Sequence, residues 1–254
     1  MNITNLEGVM GINSKLSELI VIIPARNEEK ALSKLLPRIF STITKRVIVV
    51  DNNSTDSTAK VAQAAGAIVV HQKRLGYGSA CLTGMRFIEL MDIKPKYVCF
   101  FDGDGQSRVE DIIKVAQPVL SGINQYCQGT RMIYQTSINS LTSLAQIANR
   151  FFSKFLTIIW RQKISDLGPL RVITWRELCA LKMNSSGYGW TIEMSSKILK
   201  AGRIHCEVPV GYKPRTLGRS KISGNFFTSI RAAFVMSLTL FQVMIFWRPH
   251  FENK

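Results

Sequence analysis

The chain has 254 residues, 46% of them hydrophobic, enough for one large α/β domain with a substantial buried core. No Pro/Gly/Ser-rich linker, low-complexity tract or internal repeat divides it, which excludes a solenoid or a disordered scaffold. The formal net charge of +16 favours partners that carry phosphate, whether nucleotide, nucleic acid or anionic lipid.

Five cysteines (Cys81, Cys99, Cys127, Cys179, Cys206) form no CxxC pair and read as reduced core residues of a cytoplasmic protein. The three histidines are isolated, so no HExxH or His/Cys zinc site is expected. The N-terminus lacks a basic-then-apolar signal pattern, which again suggests the cytoplasm.

The predicted elements alternate. Leu19–Pro24 (LIVIIP) and Arg46–Asp51 (RVIVVD) read as apolar strands flanking a helix over Glu28–Phe40, a βαβ unit whose strands are covered on both faces. A helix follows over Thr55–Ala65, capped by Ser54 or Asp56, then a strand over Ala67–His71 and a helix over Ser79–Met91. Tyr97–Phe101 (YVCFF) reads as a central strand, Val109–Leu120 as helix and Tyr126–Gly129 as strand. The fold class is therefore α/β: a Rossmann-like, mostly parallel sheet flanked by helices, with ligands outside the carboxyl ends of the strands.

Apolar residues from Leu141 to Ile159, among them Leu144, Ala148, Phe151, Phe152 and Phe155, recur at helical spacing and predict an amphipathic helix packed on the sheet, with docking on a membrane as the alternative. A strand near Leu170–Ile173, helices over Thr174–Leu181 and Thr191–Lys200, and a strand over Ile204–Tyr212 complete the body. Ala232–Trp247, between Arg231 and Arg248, is nearly apolar but shorter than the ~20 residues of a spanning helix. It predicts a C-terminal amphipathic helix that is buried or lies on a surface. The expected division is an N-terminal extension (1–18), the α/β domain (19–224) and this helix (225–254).

The chemistry concentrates at three strand ends. Asp102-Gly103-Asp104 follows YVCFF directly, so two carboxylates emerge with a flexible glycine between them. Such oxygens suit Mg²⁺ or Mn²⁺, with Gln106 adding a neutral oxygen, and the metal would neutralise a leaving diphosphate. Asp51, which begins DNNSTD, could accept from a base N–H, while Ser54 to Asp56 start the next helix. In PARNE, Glu28 could bind ribose hydroxyls and Arg26 a phosphate. Asp166 in SDLGPLR and Glu193 in GWTIE are further acids, either of which could serve as a base if the acceptor were a hydroxyl.

Together these stretches resemble family 2 glycosyltransferases of the GT-A fold, in particular the dolichol-phosphate mannose synthase-like branch that serves polyprenyl phosphates. The resemblance rests on IIPARNEE, VVDNNSTDST, GYGSACLTG, FFDGDGQ, GTRM, SDLGPLR, GYGWTIEM and YKPRTLGRSKISG, in that order. The acidic loop reads DGDGQSRVE where such relatives often read DADLQHPP, which keeps the expected ligands. The resemblance implies that Ala25, Glu28 and Asp51 bind the nucleoside, that Gly76, Tyr77 and Gly78 line its pocket, and that Asp102, Asp104 and Gln106 hold the metal. Pro24, Asn53 and Gly103 complete the nucleotide-sugar set. Arg131, Arg215, Arg219 and Lys221 would meet phosphates, and Asp104, Arg131, Asp166 and Glu193 form the expected catalytic group.

The implied activity is metal-dependent, inverting transfer of a hexose from a UDP- or GDP-sugar to a polyprenyl phosphate, with a soluble or glycan hydroxyl acceptor as the alternative. An anionic membrane surface is the expected partner; the sequence assigns no oligomeric state. Nucleotidyl transfer would also use an acidic metal site, but no Gly-rich basic loop near the N-terminus accompanies it. A basic nucleic-acid-binding module would explain the charge but not acids at strand ends, which repel a phosphate backbone. Dinucleotide binding is disfavoured because no GxGxxG follows the first strand.

Overall fold

The computed structural model describes residues 14–216 and 226–249. The described residues form a seven-stranded sheet in the order β3-β2-β1-β4-β6-β5-β7. Its strands are β1 (Leu19–Ala25), β2 (Val47–Asp51), β3 (Ile68–His71), β4 (Tyr97–Phe100), β5 (Tyr126–Thr130), β6 (Arg171–Thr174) and β7 (His205–Pro209). Strands β1 to β4 are parallel to one another. β6 runs antiparallel to both β4 and β5, and β7 is parallel to β5. Two reversals cancel, so β5 and β7 point the same way as β4. The residues that follow all three therefore emerge at one edge.

Nine helices lie among the described residues: α1 (Glu29–Thr42), α2 (Thr58–Ala64), α3 (Tyr77–Leu90), α4 (Asp111–Leu120), α5 (Gln135–Asn139), α6 (Ser143–Trp160), α7 (Trp175–Leu181), α8 (Trp190–Lys200) and α9 (Phe226–Ile245). The alternation of side chains along β1 explains two cores. Val21 and Ile23 face Leu32, Leu36, Ile112 and Val115 on one side, while Ile20 and Ile22 face Ala80, Ile88, Met194 and Ile198 on the other. A third, smaller cluster joins Phe152 and Leu156 of α6 to Ile192 and Leu199 of α8 and Leu240 of α9.

That third cluster changes the expectation for α6, which packs on α8 and α9 rather than on the sheet. Its buried residues are Asn149, Phe152, Ser153 and Leu156, whereas Phe151 (61%), Ile147 (64%) and Ile158 (65%) are exposed. The helix carries apolar residues on more than one face, so the stripe read from spacing straddled the buried side and the open one. Helix α9 spans 20 residues, starting earlier than expected, and is long and apolar enough to cross a membrane by length and composition. It packs on α8 through Thr239, Leu240 and Val243 but leaves Phe227, Ile230, Phe234, Leu238 and Phe241 exposed. Its C-terminal end is held by Lys200, whose Nζ donates to the carbonyls of Val243, Met244 and Trp247 at 2.7–2.8 Å.

Cys81, Cys99 and Cys127 are buried free thiols as expected, whereas Cys206 is half-buried and Cys179 is exposed. The N-cap of α2 is Ser57, whose side chain makes no cap bond, rather than Ser54 or Asp56. Asp56 Oδ1 accepts from Thr58 N at 2.9 Å, while Ser54 Oγ accepts from Asn27 N across the crevice. One half of DNNSTD thus fastens β2 to β1.

Candidate active site

The crevice opens where β1, β2, β4, β5 and β7 end. β4 delivers Asp102 and Asp104. Asp102 Oδ1 and the hydroxyl of Tyr77 are both buried without a well-formed hydrogen bond, and the phenol lies close enough to the carboxyl for each to act on the other. Burial, reinforced by the charge of Asp104, pushes the Asp102 carboxyl up to about 7. The Tyr77 phenol rises for the same reasons, burial first and Asp102 second. A carboxylate oxygen in this position is costly unless a cation or donor meets it. Gly103 owes its place to packing rather than to flexibility: a methyl there would lie 3.1 Å from Ile23 Cγ2 and 3.3 Å from Leu32 Cδ2.

Asp104 Oδ1 accepts from Gln106 N at 3.0 Å. The Gln106 side chain turns away to bind the segment after β7, with Nε2 donating to Lys213 O at 2.9 Å and Oε1 accepting from Tyr212 OH at 3.0 Å. Among the described residues no third His, Cys, Asp or Glu joins the two aspartates as a metal-binding group. Arg215 reaches across from the same segment. Its guanidinium donates to Glu28 Oε1 at 2.5 Å and lies 3.7 Å from Asp104 Oδ2. Glu28, Asp104 and Arg215, predicted separately, are therefore neighbours. Arg219 and Lys221 lie outside the described residues.

Arg131 follows β5 at the same edge, stacked 5.0 Å from the centroid of the Tyr212 ring. Its backbone N, Nε and Nη2 donate to Asp166 at 2.7, 2.9 and 2.8 Å. Burial alone would push the Asp166 carboxyl up, but the Arg131 charge and these bonds hold it below the ordinary carboxylate range. Asp166, fully buried, thus supports Arg131, tying its backbone N and its guanidinium to one carboxylate. Glu207 of β7 accepts in turn from Ser165 N (2.8 Å), Asp166 N (3.2 Å) and Gln128 Nε2 (2.8 Å).

Glu193 anchors a loop. It is buried, accepting from Asn184 N (3.0 Å), Ser185 N (2.8 Å) and Lys197 Nζ (2.6 Å). The 184–186 loop that it holds presses on the start of α3, where Ser79 N donates to Ser186 O at 2.8 Å. This contact explains two glycines. A methyl at Gly78 would meet Ser185 O at 2.0 Å, and one at Gly76, whose φ is +146°, would meet Ser186 O at 2.3 Å.

Asp51 closes its own turn by accepting from Ser54 N at 3.1 Å, with His71 Nδ1 3.1 Å from its other oxygen. Asn53 has φ +58° and is exposed. Pro24 and Ala25 end β1 beside Val50 and Asp51, and Arg26 Nε is buried without a partner. Four residues that sequence reasoning passed over complete the site. Asn52 fixes the 72–76 loop through Gln72 O, Arg74 O and Gly76 N. Tyr212 links Gln106 to Arg131. His71 faces Asp51. Arg171 is buried behind the crevice, donating to Gly168 O, Thr191 O and Ser195 Oγ. Asn52 carried a signal as the polar residue directly after a strand end, and Arg171 and Tyr212 lie within SDLGPLR and YKPRTLGRSKISG.

Residues 20–179 match the family model described as Glycosyl transferase family 2. An uncharacterised glycosyltransferase of Mycobacterium tuberculosis (strain ATCC 25618 / H37Rv) is 31% identical over 224 residues, covering 88% of this chain and 96% of the relative. The undecaprenyl-phosphate mannosyltransferase of Micrococcus luteus is 24% identical, over 81% of this chain and 88% of its own. Among solved structures, mannosyl-3-phosphoglycerate synthase from Rubrobacter xylanophilus superposes with a TM-score of 0.73 at 15% identity, covering 94% of this chain and 78% of that one. Glucosyl-3-phosphoglycerate synthase from Mycobacterium tuberculosis, in complex with Mn²⁺, UDP-glucose and phosphoglyceric acid, gives 0.68 at 18%, over 91% and 82%. These structures share the GT-A-type sheet flanked by helices described above. The chain belongs to glycosyltransferase family 2.

Proposed function

We propose that this glycosyltransferase moves a hexose from a UDP- or GDP-sugar to a polyprenyl phosphate at a membrane surface, with a divalent metal and inversion at the anomeric carbon. The observation that carries the reading is the buried oxygen of Asp102, without a well-formed hydrogen bond, beside Asp104, set at the edge where Arg131 also emerges. The donor set suits Mg²⁺ or Mn²⁺, with diphosphate oxygens and water completing the coordination. Bound there, the metal would neutralise the charge that develops on the departing diphosphate.

The protein's own residues then have distinct tasks. Asp51 and Glu28 would recognise the base and ribose, and Arg26 a phosphate. Arg215 would exchange its carboxylate partners for the diphosphate. Arg131, kept rigid by Asp166, would orient the acceptor phosphate. Such an acceptor is already an anion and needs no general base, which accords with Asp166 and Glu193 both being committed to structural bonds. The exposed apolar residues of α6 and α9 support a surface that lies on a bilayer, and the undecaprenyl-phosphate mannosyltransferase is named for a lipid acceptor of this chemistry.

A soluble phosphorylated acceptor is the second reading, favoured by the phosphoglyceric acid bound in the glucosyl-3-phosphoglycerate synthase structure. A thermal-shift panel of UDP, GDP and their hexoses, with and without Mn²⁺, tests the donor site. One nucleotide family should stabilise the protein only with metal, and Asp104→Ala should abolish the effect. Metal-independent shifts that survive Asp104→Ala would refute the metal site. Transfer of radiolabelled hexose to a short-chain polyprenyl phosphate, against 3-phosphoglycerate, decides the acceptor.

A further inference from the structure

We infer that a cavity on the flank of the carboxylate loop binds a phosphate group, at a site separate from the crevice of Asp102, Asp104 and Arg131. The cavity measures about 270 Å³ and is lined by Arg38, Gly105, Ser107, Arg108, Glu110 and Lys213, with Leu35. That is room for a phosphate and several waters, each water occupying about 30 Å³ in the liquid. Three cations face one carboxylate. Glu110 is paired with Arg38, but both side chains are 55% exposed, and an ion pair so open to water opens at little cost. Among the described residues, no ion pair or hydrogen bond engages the side chain of Arg108 or of Lys213.

The walls are placed by bonds already described and by one close approach. Lys213 N donates to Gln106 O at 2.9 Å, and Gln106 returns the bond through Nε2. The Arg108 side chain lies across Gly211, where a methyl would come within 2.6 Å of its Nε. The Arg108 guanidinium is a planar fork suited to two phosphate oxygens, and the Lys213 ammonium is a mobile point charge suited to a third. The Ser107 hydroxyl is a further donor. A phosphate held here ties the segment leading to Arg215 against the loop that carries Asp104. The ligand class is a phosphate monoester or inorganic phosphate, free or as a lipid headgroup.

The test titrates inorganic phosphate, at ionic strength held constant with chloride, into metal-free ¹⁵N-labelled protein and into Arg108→Ala/Lys213→Ala. Both side chains are exposed, so the variant should fold, and matching melting temperatures will establish that it does. The wild type should show saturable shifts at the Gly105 and Ser107 amides, and the variant should bind at least about tenfold more weakly, roughly 1.4 kcal/mol. The absence of a saturable shift, a shift centred on Asp102 and Arg131, or undiminished binding by the variant would overturn the site. Flotation with phosphatidate vesicles against neutral phosphatidylcholine separates the sources. Phosphatidate-dependent flotation lost in the variant assigns a lipid phosphate; phosphate binding lost in the variant with flotation unchanged assigns a free one.

Discussion

Replacing Asp166 by asparagine removes one charge from a buried ion pair of the candidate site and turns one of the two oxygens that accept from Arg131 into an NH₂ that cannot accept. The carboxylate is fully buried and its Arg131 partner is 12% exposed, so solvent cannot take over the lost role. Breaking such a pair from one side costs about 3–5 kcal/mol. Arg131 keeps the Tyr212 ring and the nearby charge of Asp102, which places the loss at the lower end, about 3 kcal/mol. For a domain of this size that is a fall of roughly 6–12 °C in melting temperature.

The sign with pH follows from the depressed carboxyl of Asp166. Its stabilisation is fully present above the unfolded value of about 3.9 and is lost as pH falls through the lower folded value. Urea unfolding of wild type and Asp166→Asn at pH 7, and again below pH 4, measures both effects. The gap should be wide at neutrality and should narrow in acid. A gap under about 1 kcal/mol at pH 7, or one that widens on acidification, would refute the account of this pair. The apolar double variant Arg131→Met/Asp166→Leu should recover stability yet stay inactive, because it restores packing but not the cation at the crevice.

Other substitutions test the remaining supports. Glu193→Ala strands Lys197, itself 2% exposed, and releases the 184–186 loop; a loss of about 3–5 kcal/mol is expected in denaturant unfolding. Gly78→Ala drives a methyl onto Ser185 O and should cost about 1–3 kcal/mol, with nucleotide binding weakened more than by Gly122→Ala, where nothing lies within 4 Å but φ of +82° adds strain. Phe234→Asp/Phe241→Asp on the open face of α9 should leave the melting temperature nearly unchanged while reducing flotation with anionic vesicles; unchanged flotation would remove α9 from the membrane surface. Lys200→Met should speed amide exchange at residues 243–247 without changing exchange in β1 or β4.

Most of the sheet could be read from the chain because its strands are continuous apolar runs, such as LIVIIP and RVIVV, set between helical spacings. The direction of β6 could not. Its four residues carry no mark of being antiparallel, and only the pairing with both β4 and β5 reveals it. DGDG and GTRM were legible as residues that end or follow strands at one edge of the sheet. The roles of Asp166 and Glu193 were not, because each acid is defined by a partner far away in sequence or by backbone N–H groups. Gly76 and Gly78 looked like pocket lining, but their need for glycine arises from the 185–186 carbonyls, more than a hundred residues later. The open faces of α6 and α9 were half legible: apolar spacing announced the helices but not which side the body covers.

Gly189 joins two parts of the molecule that have been described apart. It precedes α8, next to the loop that Glu193 holds against α3, and a methyl on it would lie 2.1 Å from Thr239 Oγ1 of α9 and 2.6 Å from Ser185 Oγ. The apolar outer helix therefore rests directly on the wall of the crevice, with no cushioning side chain between them. Thr239 of α9 and Ser185 of the 184–186 loop thus meet over the same glycine. Whatever α9 touches outside, only the backbone of one residue separates it from the loop that presses on the start of α3.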